Sequence, residues 1–275
     1  MNFSFVQITD HHILESETAL FRGFSTAHTL RAVLAHIAAN LAGKIDFIVS
    51  TGDLVNSPTP DSYQTLTRLL NVQANPPKNR GLSASAPGPL KILLDGAHEV
   101  PLYCLPGNHD DRVNFYNCLF PAEAPRPLMN AVFEHQGIQF VCLDWGPDTK
   151  ATLHRETLDF LERALRSSQP SIVMMHHHLY PTGSRWLDEF IADGSEQFWK
   201  TIAGRNVLGV ICGHAHMTYD KMVVGIPVFG LRSTCFQFAL QDEPLTCLQP
   251  PHYRLVTLQN GILTTRIFEV PLKIM

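Results

Sequence analysis

The chain has 275 residues, a mass of 30.8 kDa, a hydrophobic fraction of 45% and a charged fraction of 17%. This composition excludes disordered, collagen-like and coiled-coil chains and predicts a folded globular protein. With 21 Lys and Arg against 25 Asp and Glu, the net charge is −4, which provides no general basic surface for a nucleic acid polymer or an anionic membrane.

No apolar run approaches the ~18 residues that a membrane span needs, and residues 1–10 lack the basic and apolar stretches of a signal peptide. We therefore expect a cytoplasmic protein with no membrane partner. Six cysteines are present without a CxxC pair, which favours reduced, mostly buried thiols over a disulfide framework.

In chain order, alternating apolar residues predict a first strand over 3–8, and helical spacing of apolar residues predicts a helix that ends near Leu41. A short strand at 47–49 and a helix at 61–70 follow. Residues 73–89 are rich in Pro, Gly, Ser and Asn, so we expect an irregular loop there.

The second part of the chain also alternates short apolar runs with helical patterns. Strands are predicted at 102–105, 131–135, 138–143, 172–175, 207–212, 221–224, 226–229, 253–258 and 262–268, and helices at about 152–165 and 195–202. Strands alternating with helices predict an α/β fold, and the added β pairs predict a mixed sheet or two packed sheets. We expect one domain, 1–275.

Five of the predicted strands end within a few residues of side chains that can bind a metal. These are Asp10 with His12, Asp53, Asn108 with His109 and Asp110, the triplet 176–178, and His214 with His216. Ligands bind beyond the carboxyl ends of the strands in α/β folds. The five ends are therefore expected to meet in one site.

Imidazole and carboxylate ligands without a thiolate suit Zn, Fe, Mn or similar divalent ions. Seven Asp, His and Asn side chains are more than one ion needs, whereas two ions that share a carboxylate would use them all. Such a pair, ~3.5–4 Å apart, is typical of displacement at phosphorus. Each motif alone also has an ordinary explanation as a cap, a turn or a polar strand end. Their common place at strand ends favours the metal site.

These motifs, D-x-H, G-D, G-N-H-D, a His after a strand and G-H-x-H, resemble those of the calcineurin-like metallophosphoesterase superfamily over residues 8–216. The resemblance implies a four-layer α/β/β/α sandwich of two mixed sheets. It also implies two metal ions, the first held by Asp10, His12, Asp53 and His216, the second by Asp53, Asn108, His176 and His214. The tail, 217–275, is expected to complete the second sheet as antiparallel strands and is a candidate homodimer interface.

Within the triplet, His176 directly follows the strand and is the preferred ligand, with His177 as the alternative. The resemblance also makes His109 the catalytic histidine that faces the substrate, with Asp110 supporting it. Asn108, His109 and His216 are then the side chains next to the substrate phosphate.

A narrower resemblance is to bacterial class III cyclic nucleotide phosphodiesterases and related glycerophosphodiesterases. It is carried by residues 8–10, 51–56, 106–111, 176–188 and 233–238. It implies hydrolysis of a small phosphodiester, first of all a 3′,5′-cyclic nucleotide such as cAMP, by a metal-bound hydroxide. Glycerophosphodiesters, 2′,3′-cyclic nucleotides and phosphomonoesters are alternatives, and a catalytically silent protein-binding scaffold is the alternative outside enzymes.

Three side chains are candidates for contacts with the organic part of the substrate: Arg185, Tyr180 and Trp186. A packing role is an open alternative for each. Residues 111–130 and 179–198 leave strand ends on the side of the site and are expected to set specificity. The stretch 71–98 is expected on the opposite face.

Overall fold

The computed structural model describes residues 2–73, 87–247 and 249–272. Residues 74–86, most of the predicted irregular loop, lie outside the described residues. No helix of the described chain is long and apolar enough to cross a membrane.

Strands and helices alternate through most of the chain. The strands are β1 (Asn2–Ile8), β2 (Phe47–Thr51), β3 (Val72–Gln73), β4 (Leu90–Leu94), β5 (His98–Leu105), β6 (Ala131–His135), β7 (Ile138–Leu143), β8 (Ser171–Met175), β9 (Val207–Cys212), β10 (Tyr219–Val223), β11 (Ile226–Gly230), β12 (Gln237–Phe238), β13 (Thr246–Cys247), β14 (His252–Gln259) and β15 (Ile262–Glu269). The helices are α1 (Thr26–Leu41), α2 (Pro60–Leu69), α3 (Arg112–Leu119), α4 (Arg155–Ala164), α5 (Arg185–Asp188) and α6 (Ser195–Ile202).

Two mixed sheets form the centre of the fold. One has seven strands in the order β15-β14-β1-β2-β5-β4-β3, and the other has six in the order β10-β11-β9-β8-β7-β6. Strands β1, β2 and β5 run parallel to one another, as do β7, β8, β9 and β11. The pairs β1–β14, β14–β15 and β4–β5 are antiparallel.

Aromatic side chains fill the space between the sheets. The ring of Phe140 on β7 lies edge-on to Phe5 and Phe47 of the other sheet, at 5.5 and 5.3 Å between centroids. On the outer faces, α1 and α2 pack against the seven-stranded sheet. Leu161 of α4 and Phe198 of α6 are buried against the six-stranded one. These layers confirm the predicted α/β/β/α sandwich.

The tail departs from the prediction. Its first hairpin, β10 and β11, joins the six-stranded sheet as expected, but its second, β14 and β15, pairs with β1 in the other sheet. The prediction that 217–275 completes the second sheet therefore agrees with β10 and β11 and is wrong for β14 and β15. Strand β4, inside the predicted stretch 71–98, and helix α3, inside 111–130, were also not predicted.

Candidate metal centre

The predicted site residues follow the carboxyl ends of five neighbouring strands. β1, β2 and β5 lie side by side in one sheet, and β8 and β9 lie side by side in the other. Main-chain hydrogen bonds tie the loops together: Asp10 N donates to Gly52 O at 2.9 Å, and Gly213 N donates to His176 O at 2.9 Å. His214 N donates to Asp10 Oδ2 across the two sheets at 3.1 Å. One edge of both sheets therefore forms one pocket.

The backbone is strained at this edge. Eleven non-glycine residues of the described chain have positive φ, and five of them are predicted metal ligands: Asp10, His12, Asp53, His214 and His216. A non-glycine residue in this region costs ~1–3 kcal/mol and is common at functional sites. The positive-φ conformation turns the chain sharply just after each strand and directs these side chains toward one another.

Glycines allow the loops to approach one another. A Cβ on Gly107 would lie 2.1 Å from Asp53 Oδ1, and a Cβ on Gly52 would lie 2.6 Å from His176 Nδ1. Any larger residue would collide with a predicted ligand. The glycines of the G-D and G-N-H-D motifs are thus explained by close packing.

Asp53 lies at the centre of the pocket. Its Oδ2 is 3.5 Å from His12 Nε2 and 3.4 Å from His176 Nε2. Its Oδ1 accepts a hydrogen bond from His109 N at 2.9 Å. One carboxylate oxygen therefore faces two groups of nitrogen ligands, the arrangement that a bridging carboxylate requires.

The remaining predicted ligands are divided between the two sides of Asp53. On one side, His216 Nε2 is 3.2 Å from His12 Nε2 and 3.3 Å from Asp10 Oδ1. On the other, His176 Nε2 is 3.1 Å from Asn108 Oδ1 and 3.2 Å from His214 Nδ1. The structure thus brings all seven predicted ligands together in the predicted two sets.

Backbone carbonyls orient two of the imidazoles. His176 Nδ1 donates to Thr51 O at 2.9 Å, and His216 Nδ1 donates to Phe236 O at 2.8 Å. In the neutral rings the lone pair is then on Nε2, which faces the pocket. Such partners fix the tautomer of metal-binding histidines.

The charges in the pocket favour a cation. Burial alone would raise the pKa of Asp53, but His176 outweighs burial and lowers that pKa well below its ordinary value. Burial would lower the pKa of His176, yet Asp53 raises it to about 9. Burial lowers the pKa of His12 to about 3. Without a metal, ionised Asp53 therefore lies beside a neutral His12 and a protonated His176, and a divalent ion would replace the His176 proton.

These residues fit divalent metal ions. His12, Asp53 and His109 form one group whose ligand atoms lie within 4.8 Å of one another, and Asp53, His176 and His214 form another. His12 Nε2 and His216 Nε2 face each other at 3.2 Å, close enough for both nitrogens to bind one ion. The donor set, imidazole with carboxylate, suits Zn, Fe and Mn.

Within the triplet 176–178, His176 contacts other predicted ligands, whereas His177 and His178 lie against main-chain carbonyl oxygens. His177 Nε2 lies 2.9 Å from Asp148 O, and His178 Nε2 lies 3.2 Å from Leu187 O. Burial lowers the pKa of His177 to about 3. The geometry favours His176 as the ligand.

His109 and Asp110 have different hydrogen-bond partners. His109 Nδ1 lies 2.8 Å from Asn56 O, so a main-chain carbonyl orients this ring. Asp110 accepts hydrogen bonds from Leu54 N, Gly107 N and Tyr63 Oη at 2.8–3.0 Å. Burial raises its pKa to about 6. Asp110 therefore joins the G-D and G-N-H-D loops, so any support that it gives to His109 passes through the loop backbone.

Arg112 was not among the predicted site residues. It is buried and donates to Gly107 O at 2.7 Å, to Asp110 O at 2.5 Å and to Asp144. Asp144 follows β7, so the ion pair connects the G-N-H-D loop with the six-stranded sheet. The pair Asp111-Arg112 directly after the motif was the available signal, but the partner of Arg112 is distant in sequence.

The candidates for the organic part of the substrate occupy different surroundings. Arg185 is mostly exposed and lies 3.9 Å from Asp242, and no hydrogen bond or ion pair in the described chain joins it to another candidate site residue. Trp186 packs edge-on to Phe238 at 4.9 Å, and Phe238 lies 4.7 Å from His216. Tyr180 is half-buried. Of the three, Trp186 is linked to His216 through the ring of Phe238.

Comparisons with known proteins identify similar chains. A model of the calcineurin-like phosphoesterase family matches residues 3–218, which include all five motifs. The chain is 28% identical to a 3′,5′-cyclic-nucleotide phosphodiesterase of Nostoc sp., over 98% of this chain and 92% of that protein. It is 27% identical to the 3′,5′-cyclic adenosine monophosphate phosphodiesterase CpdA of Vibrio vulnificus, over 95% and 88%.

Among solved structures, a dimetal phosphatase from Danio rerio has a similar fold. Its TM-score is 0.62, with 98% of this chain and 99% of that chain covered. The sequence identity is 13%, so the similarity concerns the fold alone.

Proposed function

The chain belongs to the calcineurin-like phosphoesterase family, and we propose that it is a two-metal phosphodiesterase whose substrate is a 3′,5′-cyclic nucleotide such as cAMP. Membership of the family confirms the resemblance predicted from the five motifs. The observation that carries the proposal is the position of Asp53 Oδ2, 3.5 Å from His12 and 3.4 Å from His176. The similarity to cyclic nucleotide phosphodiesterases along nearly the whole chain supports the choice of substrate.

The two sets of side chains around Asp53 would hold one ion each. Asp10, His12, Asp53 and His216 form the first set, and Asp53, Asn108, His176 and His214 form the second. When bound, divalent ions would supply charge for the phosphate oxygens and lower the pKa of a water. Mn, Fe and Zn all suit these ligands.

His109 would act as the general acid. Its Nδ1 is engaged by Asn56 O at 2.8 Å, and this leaves Nε2 as the nitrogen that can pass a proton to the departing ribose oxygen. The hydrogen bond from His109 N to Asp53 Oδ1 holds the residue beside the ligands. A positioned acid of this kind contributes typically ~10²–10⁴-fold to the rate.

The test is steady-state hydrolysis by the Mn²⁺-loaded protein of 3′,5′-cAMP, 2′,3′-cAMP, glycerophosphocholine, AMP and bis-p-nitrophenyl phosphate. We expect the highest kcat/KM on 3′,5′-cAMP, at or above ~10⁴ M⁻¹s⁻¹. A higher value on another natural ester would reassign the substrate within the same chemistry. No turnover of any ester by metal-loaded protein would overturn the proposal and favour a protein-binding scaffold.

A further inference from the structure

Four aromatic side chains form a continuous surface beside the metal centre. This aromatic wall consists of Phe21, Phe236, Phe238 and Trp186. Phe238 lies 5.4 Å from Phe236 and 4.9 Å from Trp186, and Phe21 lies 5.3 Å from Phe236. Phe236 is buried, whereas the other three rings are partly exposed. The wall therefore has aromatic surface that the fold leaves accessible.

The wall adjoins one side of the metal centre. Phe238 and Phe236 lie 4.7 and 4.9 Å from the ring of His216. Phe21 lies 5.6 Å from the ring of His12. Both histidines belong to the first proposed ligand set, so the aromatic wall is in direct contact with that set.

A tight turn places Phe21 at the wall. Phe21 and Phe24 exchange two main-chain hydrogen bonds of 2.9 Å, and the residues between them, Arg22 and Gly23, both have positive φ. The turn also holds the Arg22 guanidinium 5.6 Å from the Phe21 centroid and 5.7 Å from that of Phe236. A cation over two rings limits their movement.

The opposite part of the wall is fixed by hydrogen bonds. Ser233 Oγ and His216 Nδ1 both donate to Phe236 O, at 2.5 and 2.8 Å. Phe238 is in β12, which pairs with β13. The rings of the wall are thus held in place without a substrate. Because they are already ordered, the protein loses little conformational entropy when a ligand binds to them.

We propose that the aromatic wall binds the base of the substrate by stacking, with Phe21 and Phe238 as the principal contacts. The inference rests on the proposed function, because only a nucleotide carries a flat base one sugar ring away from the phosphate. The metal ligands can recognise the phosphate of any ester, whereas stacking on aromatic rings selects for a base of any identity. Nucleotides are then preferred over glycerol or choline esters.

The experiment compares two substrates: 3′,5′-cAMP, and the 3′,5′-cyclic phosphate of 1-deoxyribose, which has the same sugar ring and diester without a base. The variants Phe238→Leu and Phe21→Leu retain apolar volume and remove the aromatic face. The matched control is Phe268→Leu on β15, whose ring stacks on Tyr253 at 5.0 Å. Binding of AMP and of ribose 5-phosphate to the same proteins gives a second readout.

In each wall variant we expect kcat/KM for cAMP to fall by about 5- to 100-fold relative to kcat/KM for the base-free diester. The loss should appear as a higher KM for cAMP. AMP binding should weaken by a similar factor, with a much smaller effect on ribose 5-phosphate. Phe268→Leu should leave the ratio unchanged. Equal losses of kcat/KM on both substrates, or no loss on either, would overturn the role of the aromatic wall. The proposed function would still stand in that case if the wild type hydrolysed cAMP. No turnover of cAMP by the wild type would overturn both.

Discussion

His109 is the residue whose proposed role is easiest to separate from metal binding. Its replacement by Ala should slow hydrolysis of cAMP by ~10²–10⁴-fold, because the ribose alkoxide needs a proton as it leaves. Turnover of bis-p-nitrophenyl phosphate should fall far less, since p-nitrophenolate is a good leaving group. Parallel steady-state assays of both substrates make the comparison. Equal losses would remove the general-acid role.

Gly107 is required by the space that Asp53 occupies. In Gly107→Ala the new Cβ would overlap Asp53 Oδ1, only 2.1 Å away, so we expect the free energy of unfolding to fall by ~1–3 kcal/mol and metal affinity to fall with it. The control is Gly209→Ala in β9, where the nearest atom is 3.4 Å from the added Cβ. Denaturant titration and metal titration of both variants would measure the difference. Similar effects in the two would argue against the steric account.

At the scale of single residues, the sequence predicted which side chains would lie together, because each of them follows closely after an apolar strand. It did not indicate the positive φ values, because these result from contacts between loops. Nor did it identify Arg112, whose partner Asp144 is separated from it by 32 positions and is brought close only by packing of the two sheets. The roles assigned to the site residues stay proposals.

Helix α3 begins at the residue that holds the G-N-H-D loop in place. In Arg112→Met the carboxylate of Asp144 loses its buried partner, and such a loss costs ~3–5 kcal/mol of stability. We also expect kcat to fall more than KM rises, because the loop carries Asn108 and His109. The control is Arg155→Met, which removes an exposed pair with Asp159 and should change stability little. Chemical denaturation and cAMP kinetics are the measurements. Equal stability losses in the two variants would contradict the role of the buried pair.

Most elements were predictable because their apolar residues repeat with a clear period. The predicted strands 131–135 and 138–143 and the helix at 195–202 agree with β6, β7 and α6. The missed strand β4 is followed by Asp95-Gly96, a pair typical of tight hairpins, and both residues have positive φ. Helix α3 has eight residues, as α6 does, but its apolar side chains are not confined to one face: Arg112 is buried and Val113 is exposed.

For the whole molecule, the alternation of strands and helices predicted an α/β fold with one mixed sheet or two packed sheets, and the family resemblance implied the four layers. Neither assigned the hairpin β14–β15 to the correct sheet. A hairpin such as β14–β15 can extend either sheet with the same hydrogen bonds, and only its pairing with β1 decides the matter. The single-domain organisation and the homodimer stay predictions.

Because the metal centre joins loops from both sheets, bound ions should stabilise the whole fold. Each ion that binds only the folded state at 100-fold excess over its Kd contributes ~2.7 kcal/mol. We therefore expect thermal unfolding at a clearly lower temperature in chelator than in Mn²⁺. His36→Ala, on α1 beside Tyr253, should keep this difference, and His176→Ala should reduce it. Identical unfolding curves with and without metal would contradict a shared site.

The most direct test of the two-metal account is the number of Mn²⁺ ions bound per chain, measured by elemental analysis after equilibrium dialysis. We predict two for the wild type and fewer than two for Asp53→Ala, because the shared carboxylate is lost from both sets. Circular dichroism of the variant would establish that it is folded. One ion or none in the wild type, or two retained in folded Asp53→Ala, would contradict the account.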